Sequence, residues 1–158
     1  MLLPTPDRPI VLFLCACNSA RSQMAEAFLR KHAGDRFDSH SAGLEPREIH
    51  PLTLKVMDEE GISIKGHRPK SLSEYLARVA TNYVIFVCEP SERSCPRIWP
   101  FAFQTYRFPV PDPTVRMNSE EVQIKLFRRV RDEIQQHVVA WIESMTPDSP
   151  RETSSAKQ

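Results

Sequence analysis

The sequence predicts a single α/β domain. Two short runs, 10–14 (IVLFL) and 83–87 (YVIFV), are apolar almost throughout, the pattern of strands buried on both faces of a parallel sheet. Apolar positions at helical spacing alternate with them, which is the α/β signature. A chain of 158 residues with 41% hydrophobic composition is sized for one core. The expected domain therefore runs 1–145, and the polar, proline-containing stretch 146–158 reads as a disordered tail.

Taken in order, 10–14 is the first strand. Residues 19–32 form a helix with Met24, Phe28 and Leu29 turned inward and Gly34 as its stop. A second short strand is expected at 37–41. Pro51 opens another helix through Leu54, Val56 and Met57, with Gly61 at its C-terminal cap. A further helix is expected at 71–80, then the strand 83–87. Six prolines from Pro90 to Pro113 make that stretch mostly loop, with a short helix near Cys95 and a short strand near 105–108. A terminal helix begins at Asn118 or Ser119 and carries Phe127, Val130, Ile134, Val138 and Trp141 on one stripe, leaving Lys125, Arg128, Arg129 and Arg131 as a solvated face.

A net charge of +1 offers no field for nucleic acid or a membrane surface. The apolar runs are too short to span a bilayer, and Met1 to Asp7 lacks the basic start and apolar core of a secretion signal. The expected compartment is the cytoplasm. In that reducing environment four cysteines suggest catalysis or metal binding before a structural disulfide framework.

The chemistry concentrates in Cys15-Ala16-Cys17-Asn18-Ser19-Ala20-Arg21-Ser22. A buried strand turning tightly into a helix aims several backbone N–H groups and the positive helix end at one point, so a tetrahedral oxyanion fits there. Cys15 would lie on the floor of this cradle, where the same field favours a thiolate nucleophile. Arg21 offers a fork for two substrate oxygens. Ser22 is placed to hydrogen-bond the sulfur, and Asn18 tolerates left-handed backbone geometry. Cys88 stands just past the 83–87 strand, where ligands of parallel sheets gather, and Cys95 follows seven positions later. Such thiols suit a disulfide relay; as alternatives, they are small apolar fillers or half of a zinc site, although Cys-x6-Cys lacks knuckle spacing.

Residues 11–30 resemble the low-molecular-weight protein tyrosine phosphatase superfamily, and specifically its thioredoxin-coupled arsenate reductases; the resemblance extends over about 8–143. It implies a three-layer α/β/α sandwich with a central, mainly parallel four-stranded sheet. It also implies reduction of arsenate to arsenite: Cys15 attacks arsenate, Cys88 attacks the Cys15–arsenic adduct and releases arsenite, Cys95 attacks Cys88, and a Cys88–Cys95 disulfide remains for thioredoxin. No bound cofactor is implied. Asp112, in Pro111-Asp112-Pro113, resembles the family's general acid. Ser41 is expected to bond the cradle backbone and Gly43 to allow a turn.

Glu26, Asn18 and Ser41 match positions that help bind potassium in some reductases, but Lys70 falls where a fourth, acidic ligand would stand. No metal site is expected, with the Lys70 ammonium in its place. Cys17 replaces a usual glycine and is expected to point outward, the other reading being a fourth redox thiol. Ala20 replaces a cysteine that protects the nucleophile in many phosphatases. His32, His40, His67 and His137 have no clustered partners and read as surface or helix-end residues. Two other functions compete: a phosphatase acting through a Cys15 phosphocysteine, with Trp99, Phe101, Phe103 and Tyr106 as its aromatic rim, and a non-catalytic oxyanion-binding module. Thioredoxin and glutaredoxin leave no local signature that separates them, and a monomer is expected.

Overall fold

The structure, a computed structural model, describes residues 8–75, 81–89, 91–93 and 104–145. Four strands, β1 (Ile10–Cys15), β2 (Asp38–Gly43), β3 (Tyr83–Phe86) and β4 (Gln104–Arg107), form one sheet in the order β2-β1-β3-β4. Every pairing is parallel. The helices are α1 (Arg21–Ala33), α2 (Pro51–Glu59) and α3 (Glu120–Ser144). The α/β architecture and parallel sheet match the sequence expectation, with β2 displaced one residue toward the C-terminus at its start.

Side chains alternate across β1 and divide the core. Val11 and Phe13 join Met24, Phe28, Val56, Met57, Ile85, Phe127, Val130 and Ile134 on the face packed by the three helices. Leu12 and Leu14 point the other way, to Ala42, Val84, Phe86 and Tyr75. The inward stripe of α3 is as expected: Phe127, Val130, Ile134, Val138 and Trp141 are all buried, each contributing about 1.5–3 kcal/mol of hydrophobic stabilisation.

Helix boundaries follow local chemistry. Pro51 stands at the first turn of α2, the His50 ring nitrogen Nδ1 accepts from the Leu52 N–H at 3.1 Å, and Gly61 just past the end takes φ +74°. At α3 the Ser119 hydroxyl accepts from the Val122 N–H. Two expectations are corrected here. Instead of a helix from 71, a 3-10 turn spans Leu72–Glu74, closed by a Ser71/Glu74 capping box and followed by Tyr75 descending onto the sheet; residues 76–80 lie outside the described residues. Arg131 does not belong to the solvated face of α3. It is buried, donating to the Val56 carbonyl at 3.0 Å and to Glu59 at 2.8 Å, because its long stem lets the guanidinium reach across to α2. Arg128 also pairs with Glu59.

The expected tail 146–158 and the short helix near Cys95 lie outside the described residues.

Candidate active site

The strand order changes direction between β1 and β3: the chain runs from β1 outward to β2, then returns to place β3 on the other side. Crevices at such switch points, beyond the carboxyl ends of the strands, are where open parallel sheets bind ligands. Cys15 ends β1. The Val87 N–H donates to the Leu14 carbonyl at 2.8 Å, so Cys88 follows at the neighbouring strand end.

Between Cys15 and α1 the chain makes the cradle. Asn18 takes φ 56°, the only positive φ of a non-glycine residue among the described residues. A left-handed residue here turns the chain back over the sulfur, and the Asn18 N–H points at Cys15 Sγ at 3.3 Å. The Asn18 side chain holds this geometry. Its Nδ2 donates to Ser22 Oγ at 2.8 Å and to Ser41 Oγ at 2.9 Å, while its Oδ1 accepts from Gln23 Nε2 and from the Lys70 N–H. Ser22 Oγ lies 2.8 Å from Cys15 Sγ, as expected. Helix α1 begins with no side-chain cap and no acidic residue in its first turn, which leaves its first N–H groups available to an anion.

The expectations for Ser41 and Gly43 change in detail. Ser41 bonds the Asn18 side chain and donates to Glu26 Oε1 instead of bonding the cradle backbone. Gly43 is needed for a close approach: a Cβ there would stand 2.8 Å from both Asn18 N and the Cys17 carbonyl carbon. Behind Ser41, Lys70 Nζ lies 3.4 Å from Glu26 Oε1 and 3.5 Å from Ser41 Oγ, so an ammonium occupies the position beside Glu26. Burial pushes the Glu26 carboxyl up, but the Lys70 charge, the Ser41 hydroxyl and Arg30 together hold it below its usual range.

A cavity of about 20 Å³ opens above Cys15, lined by Cys17, Ser19, Ala20, Arg21, Asp112 and Thr114 among others. That volume is on the scale of one or two water positions. Asp112 is therefore among the residues around the cavity. Its Oδ1 accepts from the Thr114 N–H at 2.9 Å and the Thr114 hydroxyl at 2.7 Å, and its Oδ2 faces Arg21 Nη2 at 3.9 Å. Cys17 is a half-buried free thiol, and its residue is among those that line this cavity. Burial pushes its thiol up, against the opposing charge of Arg47.

Arg21 is buried, and the Nη1/Nη2 edge of its guanidinium is filled. Nη1 and Nη2 reach Glu92 Oε2 and Oε1 at 2.5 and 2.9 Å, and Nη1 also donates to the Val110 carbonyl at 3.0 Å. Burial lowers the Arg21 pKa, but Glu92, Cys15 and Asp112 outweigh this and raise it. Glu92 was missed by sequence reasoning, as was Thr114. The signal for Thr114 was present, since Asp-Pro-Thr is suited to an Asx-type turn; an acid within the Cys88 to Cys95 interval was the only hint of Glu92.

Cys88 is disulfide-bonded, whereas Cys15 and Cys17 are free. Cys95, Trp99, Phe101 and Phe103 lie outside the described residues. Tyr106 packs against Tyr83 and Trp141, because its position in β4 directs it to the core side, and it is not among the residues lining the cavity. His67 is not isolated: its Nδ1 lies 3.0 Å from Gln23 Oε1, joining the network behind the cradle. Among the described residues no cluster of His, Cys, Asp and Glu suits a metal ion.

Comparisons with known proteins agree with this geometry. The arsenate reductase of Halalkalibacterium halodurans is 33% identical over 138 residues, covering 87% of this chain and 98% of its own. Among solved structures, the thioredoxin-dependent arsenate reductase of Corynebacterium glutamicum superposes with a TM-score of 0.66 at 29% identity, over 89% of this chain and 63% of that one. The tyrosine phosphatase Wzb of Escherichia coli K30, solved with sulphate, shares the fold with a TM-score of 0.69 at 23% identity, over 88% of this chain and 99% of that one. The sequence model described as low molecular weight phosphotyrosine protein phosphatase matches residues 10–151, and the chain belongs to that family.

Proposed function

We propose that this protein is an arsenate reductase that works through Cys15, Cys88 and Cys95 and is regenerated by thioredoxin. The observation that carries the reading is the pairing of two sulfur sites at one sheet crevice: a free Cys15 in an oxyanion cradle at the end of β1, and a disulfide-bonded Cys88 at the adjoining end of β3.

In this reading the Cys15 thiolate attacks arsenic(V), and an arsenate oxygen leaves as water after taking a proton from Asp112, whose Oδ2 faces the cavity. The cradle N–H groups and Arg21 carry the charge of the remaining oxygens. Cys88 then attacks Cys15 sulfur. The S–As bond breaks, its electron pair stays on arsenic, and arsenite is released as arsenic(III). Cys95 attacks Cys88, freeing Cys15, and the Cys88–Cys95 disulfide accepts two electrons and two protons from the thioredoxin dithiol. In this reading the protein needs no bound cofactor and works in the cytoplasm as a monomer, without nucleic acid or membrane as a partner.

The test follows arsenate-dependent NADPH oxidation with thioredoxin and thioredoxin reductase in the parent protein, Cys15→Ser, Cys88→Ser and Cys95→Ser. Loss of turnover in all three supports the relay and its donor. One observation favours a second activity: Cys15, Arg21 and Asp112 alone form a phosphomonoester-cleaving set around the cavity. Hydrolysis of an aryl phosphate that survives Cys88→Ser while arsenate reduction is lost would identify it as a side activity, and unchanged arsenate reduction in Cys88→Ser would overturn the relay.

A further inference from the structure

Resting on that reading, we propose that Glu92 is an internal anion that occupies the Arg21 fork while Cys88 is disulfide-bonded and vacates it on reduction, so that oxyanion affinity follows thiol state. Three observations support this.

First, the contact is the bidentate one that a substrate oxyanion would make. Both Glu92 oxygens are used, on Nη1 and Nη2, and Nη1 has its other N–H on Val110. An oxyanion therefore meets this edge of the guanidinium only when Glu92 leaves.

Second, the charges around the site oppose a further anion. Two carboxylates, Glu92 and Asp112, face one buried guanidinium, and the cavity over Cys15 is about 20 Å³. With Glu92 gone, one carboxylate instead of two faces Arg21, so the local charge rises from net negative to balanced and opposes an incoming anion less.

Third, Glu92 is coupled to Cys88 through a closed turn. The Glu89 N–H donates to Glu92 Oε2 at 3.0 Å, and the Glu92 N–H donates to the Glu89 carbonyl at 3.0 Å. Glu89 is the residue bonded to Cys88, so the carboxylate is fixed by the chain that the disulfide restrains. Reduction by a dithiol breaks that S–S bond, adds two electrons and two protons to the cysteine pair, and leaves the donor as its own disulfide. The consequence is directional. The reduced enzyme presents the Nη1/Nη2 edge of Arg21 to arsenate, and the oxidised enzyme, with its reaction complete, keeps that edge on Glu92 and binds a second anion more weakly.

The probe is inorganic phosphate, titrated calorimetrically into oxidised and dithiothreitol-reduced full-length protein. The reduced protein is expected to bind at least about tenfold more tightly, within the usual range of coupling between sites. In the oxidised state, Glu92→Gln is expected to bind nearly as tightly as the reduced parent, and Cys88→Ser, which cannot form the disulfide, is expected to do the same without added reductant. Equal affinity of the oxidised and reduced parent overturns the proposal. So does a Glu92→Gln variant weakened equally in both states, which would make Glu92 a strut that orients Arg21. Arsenate-dependent turnover of Cys88→Ser, measured in parallel, judges the relay separately from the phosphate result.

Discussion

Ser22 Oγ lies 2.8 Å from Cys15 Sγ, with Asn18 Nδ2 donating to the same hydroxyl oxygen. A Cys15 thiolate has no proton to give, so in that state the Ser22 hydroxyl donates to the sulfur and stabilises its negative charge. Ser22→Ala is expected to reduce kcat for arsenate by about a hundredfold to a thousandfold, the scale of one lost hydrogen-bond donor at a reacting centre. Alkylation of Cys15 by iodoacetamide at neutral pH should slow in the same variant, and an unchanged rate would show that the hydroxyl does not act on the sulfur.

Asp112 is held by one oxygen and offers the other. With Oδ1 bound to Thr114 and Oδ2 toward Arg21, Asp112→Asn should lower kcat by about a hundredfold, in the range for loss of a general acid, with little change in KM. Thr114→Val removes only the hydroxyl contact and should cost less, because the Thr114 N–H remains. Steady-state kinetics of the two variants check both statements, and a Thr114→Val loss as large as that of Asp112→Asn would contradict them.

Lys70 and Glu26 predict two behaviours. With an ammonium already beside Glu26 Oε1, turnover should be equal in potassium and sodium buffers, and a clear potassium stimulation would count against this. The Glu26 carboxyl is held below its ordinary value of 4.5 in the folded protein. A lowered folded value contributes stability that is present above the unfolded value and lost as pH falls through the folded one. Glu26→Gln should therefore flatten the acid limb of the stability profile below about pH 4.5, measured by urea unfolding across pH.

Arg131 joins α3 to α2 through the Val56 carbonyl and Glu59. Arg131→Ala leaves a buried carbonyl without its donor and should destabilise the fold by about 1–3 kcal/mol. Glu59, held at about 2 by Arg128 and Arg131 against the opposing effect of burial, contributes stability above its unfolded value that is lost as pH falls toward 2. Its pair with Arg128 is exposed, so added salt should weaken this part. Urea unfolding of Arg131→Ala and Glu59→Gln at low and high salt separates the buried contact from the screened one.

What was legible in the sequence was local. Cys15, Asn18, Arg21 and Ser22 act within one strand-to-helix turn, so their spacing carried their geometry, and the apolar runs at 10–14 and 83–87 carried the parallel sheet. Relationships across long separations were not legible. Glu92 meets Arg21 from 71 positions away, and nothing in the composition of its loop distinguishes it from a solvated acid. Gly43 read as a turn residue, but its lack of a side chain matters because another segment lies against it. Arg131 has the polarity of a surface residue and a stem long enough to be otherwise. Helical spacing after Ser71 did not reveal that Tyr75 would be drawn onto the sheet.

The close fit of Gly43 against Ala16, Cys17 and Asn18 also bears on how the cradle responds to heat. With no side chain between them, the end of β2 and the nucleophile loop share one contact surface, and neither can open without exposing the other. The Gly43 N–H is itself tied to the Lys70 carbonyl, and the Lys70 N–H to Asn18. These segments form one cooperative unit, in which amide exchange at Asn18 and Gly43 shares a single opening event and activity disappears in one step as that unit melts.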